Sequence, residues 1–238
     1  MILCVDCGNT RVKVGLGNES GWHGQVVFTR SDIGSLMQRL AAWPRPRRAI
    51  GCNVAGPAAA AAVEAALATA HLPIQWLTSS AELAGVRNAY ERPEQLGGDR
   101  WASLIGARGL HSGACIVVCA GTATTVDVLD AHGVFQGGLI LAGLKMMASA
   151  LAAGTAQLDE AEGRYLALPR STDDAIVSGA IEATVGAIDR MYARIAGQPA
   201  AACLLSGGAA EVLAPHLEMP LQRVDNLVLE GLRRIALA

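Results

Sequence analysis

One short pattern occurs twice in this chain, and it limits the fold more than any other feature. The apolar run Met1-Ile2-Leu3-Cys4-Val5 ends in Asp6-Cys7-Gly8-Asn9-Thr10 and leaves through Arg11-Val12-Lys13-Val14. Moving about 113 positions along, the run Cys115-Ile116-Val117-Val118-Cys119-Ala120 ends in Gly121-Thr122-Ala123-Thr124-Thr125 and leaves through Val126-Asp127. That alignment sets Gly8 on Gly121, Asn9 on Thr122 and Val12 on Thr125. In both copies a buried strand delivers the chain to glycine and short polar side chains, and a second strand carries it away. Such a turn lets backbone N–H groups approach an anion, as phosphate-holding nests do. The duplication predicts two lobes with a nucleotide held between them.

The elements around each copy follow a similar order. In the first half, strands are expected at residues 12–16 and 24–29. A helix capped by Ser31 or Asp32 follows, with Ile33, Leu36, Met37 and Leu40 at helical spacing and Pro44 as its stop. Residues 48–54 and 73–77 read as strands on either side of an alanine-rich helix at 57–70, and Ser80 is placed to cap the next segment. In the second half, strands are expected at 114–119, 124–129 and 134–141, with a helix at 143–151. Ser171 can cap a long helix over 172–195, followed by a strand at 201–206 and helices at 209–216 and 227–237. Strands at the head of each half, with helices after them, indicate an α/β protein with lobes 1–112 and 113–238.

Composition excludes several functions. With 52% hydrophobic residues and a formal charge of −2 over 238 residues, the chain has core-forming material but no basic surplus for coating nucleic acid. No apolar run reaches the roughly 18 residues of a membrane span. No basic segment or cleavage pattern marks a signal peptide, so a cytoplasmic protein without membrane attachment is expected. Cys4 and Cys7 form a C-x-x-C without a second pair, and the six cysteines mostly fall in apolar strands. They are expected to be buried apolar thiols, not a zinc or redox centre. The five histidines are scattered without spaced partners.

Four stretches carry chemistry. In Asp6-x-Gly8-Asn9-Thr10-x-x-Lys13, the glycine allows a tight turn, and Lys13 can meet a phosphate as a point charge. Asp6 can hold Mg²⁺ through water, because Mg²⁺ keeps much of its hydration. An ordinary Asn-Thr hairpin would use the same residues, but the second copy favours a clamp. Gly97-Gly98-Asp99-Arg100 opens a helix, where free N–H groups and the helix dipole favour an anion. Arg100 can bind a carboxylate or phosphate there, with Asp99 beside a bound hydroxyl; a plain helix cap with a solvated arginine would also fit. Phosphoryl transfer depends on positioning more than on a strong base, so Asp suffices. Gly137-Gly138 and Ser206-Gly207-Gly208 allow either close approach of a ligand or tight packing.

Taken together, these motifs resemble type III pantothenate kinase, the family also called Bvg accessory factor, in the superfamily of acetate and sugar kinases and actin. The match includes Tyr90 upstream of Gly97-x-Asp99-Arg100, Gly121-Thr122-Ala123-x-Thr125-x-Asp127, Gly137-Gly138-x-Ile140, Thr155-Ala156-Gln157-Leu158 and Asn226-Leu227-Val228-Leu229-Glu230-Gly231-Leu232. The resemblance implies two RNase H-like, actin-like ATPase lobes and ATP-dependent phosphorylation of pantothenate to 4'-phosphopantothenate, the first step of coenzyme A synthesis, by a homodimer. It implies that Asp6, Cys7, Gly8, Asn9, Thr10, Arg11, Val12, Lys13 and Thr122 bind ATP. Asp99 would be the proton acceptor, with Tyr90, Gly97, Gly98, Asp99, Arg100 and Thr172 around pantothenate. Asp6 would lie close to Mg²⁺ and Asp127 near the phosphates or metal.

The family label also carries an alternative, a regulatory accessory protein acting through protein partners. Nothing here resembles a helix-turn-helix, and the intact Asp6, Lys13, Asp99, Arg100 and Asp127 favour the enzyme. Two positions depart from the family pattern. Many relatives have Asp where Cys119 stands and use it to bind K⁺ or NH₄⁺; a thiol is a poor ligand for a hard cation. Ala142 replaces a proline in the loop after Gly137-Gly138.

Overall fold

Alternation along the first strand decides how the chain is layered. β1 (Ile2–Cys7) turns Leu3, Val5 and Cys7 into one apolar layer and Ile2 and Cys4 into another, and Asp6 shares the second face. Cys4 and Cys7 therefore lie on opposite sides of one strand and cannot close on a common metal or form a redox pair. Burial pushes the Cys4 thiol up to about 12, which keeps it protonated.

The computed structural model describes residues 1–154 and 163–238. The first unit is Met1–Ser112 with Gly133–Phe135 and Asn226–Ala238, and the second is Gly113–His132 with Gln136–Asp225. In the first, β1 is followed by β2 (Arg11–Asn18) and β3 (Gly21–Thr29), a 3-10 turn at Arg30–Ser35 and the short α1 (Leu36–Arg39). Then come β4 (Arg48–Asn53), α2 (Pro57–Ala68), β5 (Ile74–Trp76), β6 (Glu82–Leu83), β7 (Val86–Asn88) and α3 (Gly98–Leu110). The sheet order is β3-β2-β1-β4-β5, with β1 antiparallel to β2 and parallel to β4.

The second unit repeats that plan with β8 (Cys115–Ala120), β9 (Ala123–Leu129), β10 (Val134–Ala142), α4 (Leu144–Gly154), α5 (Thr172–Tyr192), β11 (Ala202–Ser206), α6 (Ala210–Leu213) and β12 (Leu221–Arg223). Its strands run β10-β9-β8-β11-β12, with β8 antiparallel to β9 and parallel to β11. One of its apolar clusters runs from Ile116, Val118 and Leu205 on the sheet to Ile181, Val185 and Ile188 on α5. Ser171 caps α5 by accepting from the Asp174 N–H at 3.2 Å, as its sequence position indicated.

Besides the helix cap, which falls on neither Ser31 nor Asp32 because the segment enters as a 3-10 turn from Thr29, three expectations need correction. The two turns differ in length: the first ends on the pair Cys7–Val12 and the second on Ala120–Thr124. The second is one residue shorter, so Val12 corresponds to Thr124, and Lys13 to Thr125. Ser80 caps no helix; its hydroxyl donates to the Glu82 carbonyl at 3.1 Å and leads into the β6–β7 hairpin. Its tight turn, Ala84-Gly85, has positive φ at both residues, and Val134 and Phe135 pair with Arg87 and Asn88.

The third correction concerns α7 (Leu227–Leu237), expected in lobe 113–238 but grouped with the first unit. Its Val228, Leu229 and Leu232 pack on Ile2, Cys4, Ile50 and Cys52, with Ala102 of α3. Two glycines set this packing. A Cβ on Gly231 would land on the Ala102 carbonyl, and one on Gly106 would meet the Leu227 carbonyl. Buried Glu230 is paired with Arg233 at 2.8 Å and Arg234 at 2.7 Å, and Arg233 also donates to the Asn18 carbonyl at 2.7 Å. Thus α7 is tied both to α3 and to the end of β2.

Candidate active site

Strand register builds one row of functional side chains. Asp6 is paired across β2 with Lys13 and across β4 with Cys52, and cross-strand partners share a face of the sheet. Lys13 Nζ lies 3.6 Å from Asp6 Oδ2, and Cys52 Sγ lies 3.6 Å from Asp6 Oδ1. Burial pushes the Asp6 carboxyl above its ordinary 3.8; Lys13 pulls it back and Asp99 raises it further. Burial also drives the Cys52 thiol well above its ordinary range, reinforced by Asp6 and Asp99. The thiol therefore stays protonated and can donate. Beyond the row, the Gly8 N–H donates to the Arg11 carbonyl at 3.1 Å, and Asn9, Thr10 and Arg11 are exposed at the turn.

A buried carboxylate with a raised pKa costs folded-state stability once it ionises. Asp6→Asn is accordingly expected to raise the melting temperature at neutral pH by about 2–4 °C, the shift about 1 kcal/mol gives in a chain this size. The sign follows from protonation: wild type is favoured below the ordinary carboxylate value and loses that benefit as pH rises through the raised one. Thermal melts across that range should show this slope in wild type and a flatter profile in the variant. An unchanged profile in Asp6→Asn would show that the buried charge imposes no such cost.

The start of α3 brings the second group of residues close. Asp99 Oδ1 accepts from the Arg100 N–H at 2.8 Å, and a Cβ on Gly97 would come 2.7 Å from that same oxygen. Glycine at 97 therefore leaves room for the carboxylate at the positive end of the helix. Gly98 approaches the Leu77 carbonyl and Cys52, where an added Cβ would stand 3.3 and 3.4 Å away. Arg100 is buried with its guanidinium 5.7 Å from both the Tyr90 and Phe135 rings, and it donates to Tyr90 Oη at 2.9 Å. Tyr90 is fixed in turn by Asn88, which accepts from the Tyr90 N–H at 3.1 Å. The result is a guanidinium held in place by two aromatic rings, one residue after a carboxylate at the helix start, a combination suited to an anionic substrate with a hydroxyl.

Within the second unit, the turn at Gly121 is supported by close backbone. The Gly143 N–H donates to the Thr122 carbonyl at 2.9 Å, and the Ala209 N–H to the Ala120 carbonyl at 3.0 Å. Gly143 and Gly207 leave no space for a Cβ against residues 120–122, so these glycines serve packing around the turn. Asp127 is buried in β9, and a Cβ on Gly138 would strike its carboxylate. Cys119 pairs with Thr125 at the place that Asp6 and Lys13 hold in the first unit. Thr172, the first residue of α5, is exposed.

In the first unit, then, the structure gathers Asp6, Lys13, Tyr90, Gly97, Gly98, Asp99 and Arg100. Thr122, Asp127 and Thr172 belong to the second unit. Thr155-Ala156-Gln157-Leu158 lies outside the described residues. Sequence reasoning missed two contributors, Cys52 and Phe135. Phe135 becomes visible only when β10 pairs with β7, and Cys52 only when the parallel register of β1 and β4 sets it beside Asp6.

Among the described residues, no group of three His, Cys, Asp or Glu is arranged for a metal, and no helix is long and apolar enough to cross a membrane. Mg²⁺ in phosphoryl-transfer sites takes one or two carboxylates plus phosphate oxygens and water. The single buried Asp6 fits that donor set.

The family described as Type III pantothenate kinase matches residues 2–194. The Type III pantothenate kinase of Aromatoleum aromaticum is 54% identical over 236 residues, covering 99% of this chain and 98% of that protein. That of Dechloromonas aromatica is 46% identical over 237 residues, covering 100% and 99%. Among solved structures, the activator of 2-hydroxyisocaproyl-CoA dehydratase from Clostridium difficile, with bound ADPNP, has a TM-score of 0.56 at 12% identity. It covers 99% of this chain and 92% of that one. The likeness is one of fold, α/β with two sheets, in line with the fold that the family resemblance implied.

Proposed function

The chain belongs to the type III pantothenate kinase family, and from that premise we propose how its residues divide the work. The reaction is phosphorylation of pantothenate, which feeds coenzyme A synthesis, with ATP as donor. Residues 6–13 hold the nucleotide phosphates, Lys13 supplying charge and the glycine turn its backbone, and Thr122 contacts ATP as well. Bound Mg²⁺ would neutralise charge on the transferring phosphates; Asp6 is the residue to hold it, with Asp127 a second candidate. Arg100, pinned by Tyr90 and Phe135, meets the pantothenate carboxylate with residues 97–98 beside it, and Thr172 is a further residue assigned to pantothenate. Asp99 takes the proton from the attacking hydroxyl.

The observation that carries this assignment is the pair Asp99–Arg100, a carboxylate and a buried guanidinium on adjacent residues at a helix start. The working enzyme is a cytoplasmic homodimer. Exposed Leu139 and Ile140 on β10, Met146 and Leu151 on α4, and Leu168 support the dimer as apolar surface for a second copy.

Cys119 in place of the family's cation-binding Asp leads to a further expectation. Radiolabel transfer from the γ-phosphate of ATP to pantothenate should proceed with Mg²⁺ in sodium buffer as fast as with K⁺ or NH₄⁺, because a thiol attracts hard cations poorly. Cys119→Asp should introduce stimulation by K⁺. Absence of transfer under every cation would overturn the proposed activity, and a strict K⁺ requirement in wild type would overturn the reading of Cys119.

A further inference from the structure

We propose that Cys52 is a positioning residue for phosphoryl transfer: its thiol holds the Asp6 carboxylate turned to the nucleotide's metal and seats the turn at residues 97–100 against the sheet. The inference rests on the assignment of Asp6 as the metal-facing carboxylate.

The geometry is a bracket. Asp6 belongs to the central strand of the first unit's sheet, and each of its oxygens is held from a different neighbour. Lys13 on antiparallel β2 approaches Oδ2 at 3.6 Å, and Cys52 on parallel β4 approaches Oδ1 at 3.6 Å. A carboxylate held on one side only can rotate about χ2, a broad and soft torsion. Held on both, it keeps one orientation, which is what a metal-facing group requires. Lysine is half-exposed and will also be drawn to phosphate; the thiol is completely buried and has no such competitor.

The same residue touches the other half of the chemistry. Gly98 stands against Cys52, where an added Cβ would lie 3.4 Å from Cys52 Cβ, so the height of the α3 start above the sheet depends on this side chain. Asp99 follows directly. The thiol donates to Asp6 Oδ1 at 3.6 Å while its own strand supports the start of α3. One small side chain therefore orients the carboxylate assigned to the metal and supports the segment assigned to the acceptor.

The test compares Cys52→Ala and Cys52→Val, which lack a donor, with Cys52→Ser, which keeps one. Titration calorimetry would measure ADP binding with and without Mg²⁺, and steady-state kinetics the magnesium half-saturation and kcat. Both donor-less variants should bind ADP with Mg²⁺ about five-fold more weakly, the size of one modest hydrogen bond, and bind metal-free ADP like wild type. Cys52→Ser should stay near wild type in both.

All three variants lose the sulfur, so a role in packing alone would impair Cys52→Ser together with Cys52→Ala and leave the magnesium dependence untouched. That pattern overturns the inference, as does wild-type magnesium–ADP binding in both donor-less variants. If Cys52→Ala fails to fold, the Val and Ser pair carries the comparison. Asp6→Asn separates the layers: wild-type magnesium–ADP binding in that variant overturns the inference at its premise. A loss there with none in the donor-less variants rejects Cys52 alone, and neither result bears on whether pantothenate is the acceptor.

Discussion

Asp99→Asn is expected to lower kcat by about 10²- to 10⁴-fold, the range for removing a positioned general base, while the Michaelis constant for pantothenate changes little. Asparagine keeps the shape and the oxygen that accepts from the Arg100 N–H at 2.8 Å, so the helix start should hold its geometry. What disappears is the carboxylate oxygen proposed to receive the hydroxyl proton. Because phosphoryl transfer runs through a loose transition state, proton removal comes late, and the loss should fall toward the lower end. Coupled measurement of ADP release against pantothenate concentration decides the matter. Undiminished turnover would remove Asp99 from catalysis, whereas a raised Michaelis constant with unchanged kcat would make it a binding residue.

The second large effect is one of packing. Gly231→Ala is expected to destabilise the protein by about 2–3 kcal/mol, as overpacking at a rigid contact does, lowering the melting temperature by roughly 5–10 °C. The new methyl group would land on the Ala102 carbonyl, which is helix backbone and cannot swing aside as a side chain could. Gly186→Ala on α5 is the control, because an added Cβ there meets nothing within 4 Å. Alanine should stabilise that helix by up to about 1 kcal/mol. Differential scanning calorimetry of the two variants should show shifts of opposite sign. Equal shifts would mean that the α3–α7 contact can relax.

Much of this architecture could be read before any coordinates, because its signals are local. Glycine followed by Asp99 and Arg100 ahead of a helical apolar run marks where α3 begins, and Asn226 marks where α7 begins. The repeated turn disclosed the duplicated sheet, but not the missing residue in its second copy. Turn length is fixed by which residues pair across the strands, and neighbours in sequence do not report it. The β6–β7 hairpin escaped because two or three residues are too few to show alternation; its only local sign was Ala84-Gly85.

Cys52 and Phe135 were harder still. A thiol and a phenylalanine in apolar strands look like core from sequence alone, and both are indeed buried. What distinguishes them is the neighbour that register supplies, Asp6 for one and the Tyr90–Arg100 pair for the other. The grouping of α7 with the first unit is of the same kind. Order along a chain suggests two consecutive lobes, but the glycine contact between α3 and α7 brings a segment back across more than half the sequence.

That return has a consequence for how the protein is made. On the ribosome, residues 1–112 emerge early, yet the face of β1 and β4 formed by Ile2, Cys4, Ile50 and Cys52 is covered by Val228, Leu229 and Leu232. At about 5–20 residues per second, the helix that covers it follows on the order of ten seconds later. In the interval the segment that forms the second unit, Gly113–His132 with Gln136–Asp225, has emerged. The part of the enzyme synthesised first is thus the part completed last, and the layer of Ile2, Cys4, Ile50 and Cys52 is closed only when α7 has left the exit tunnel.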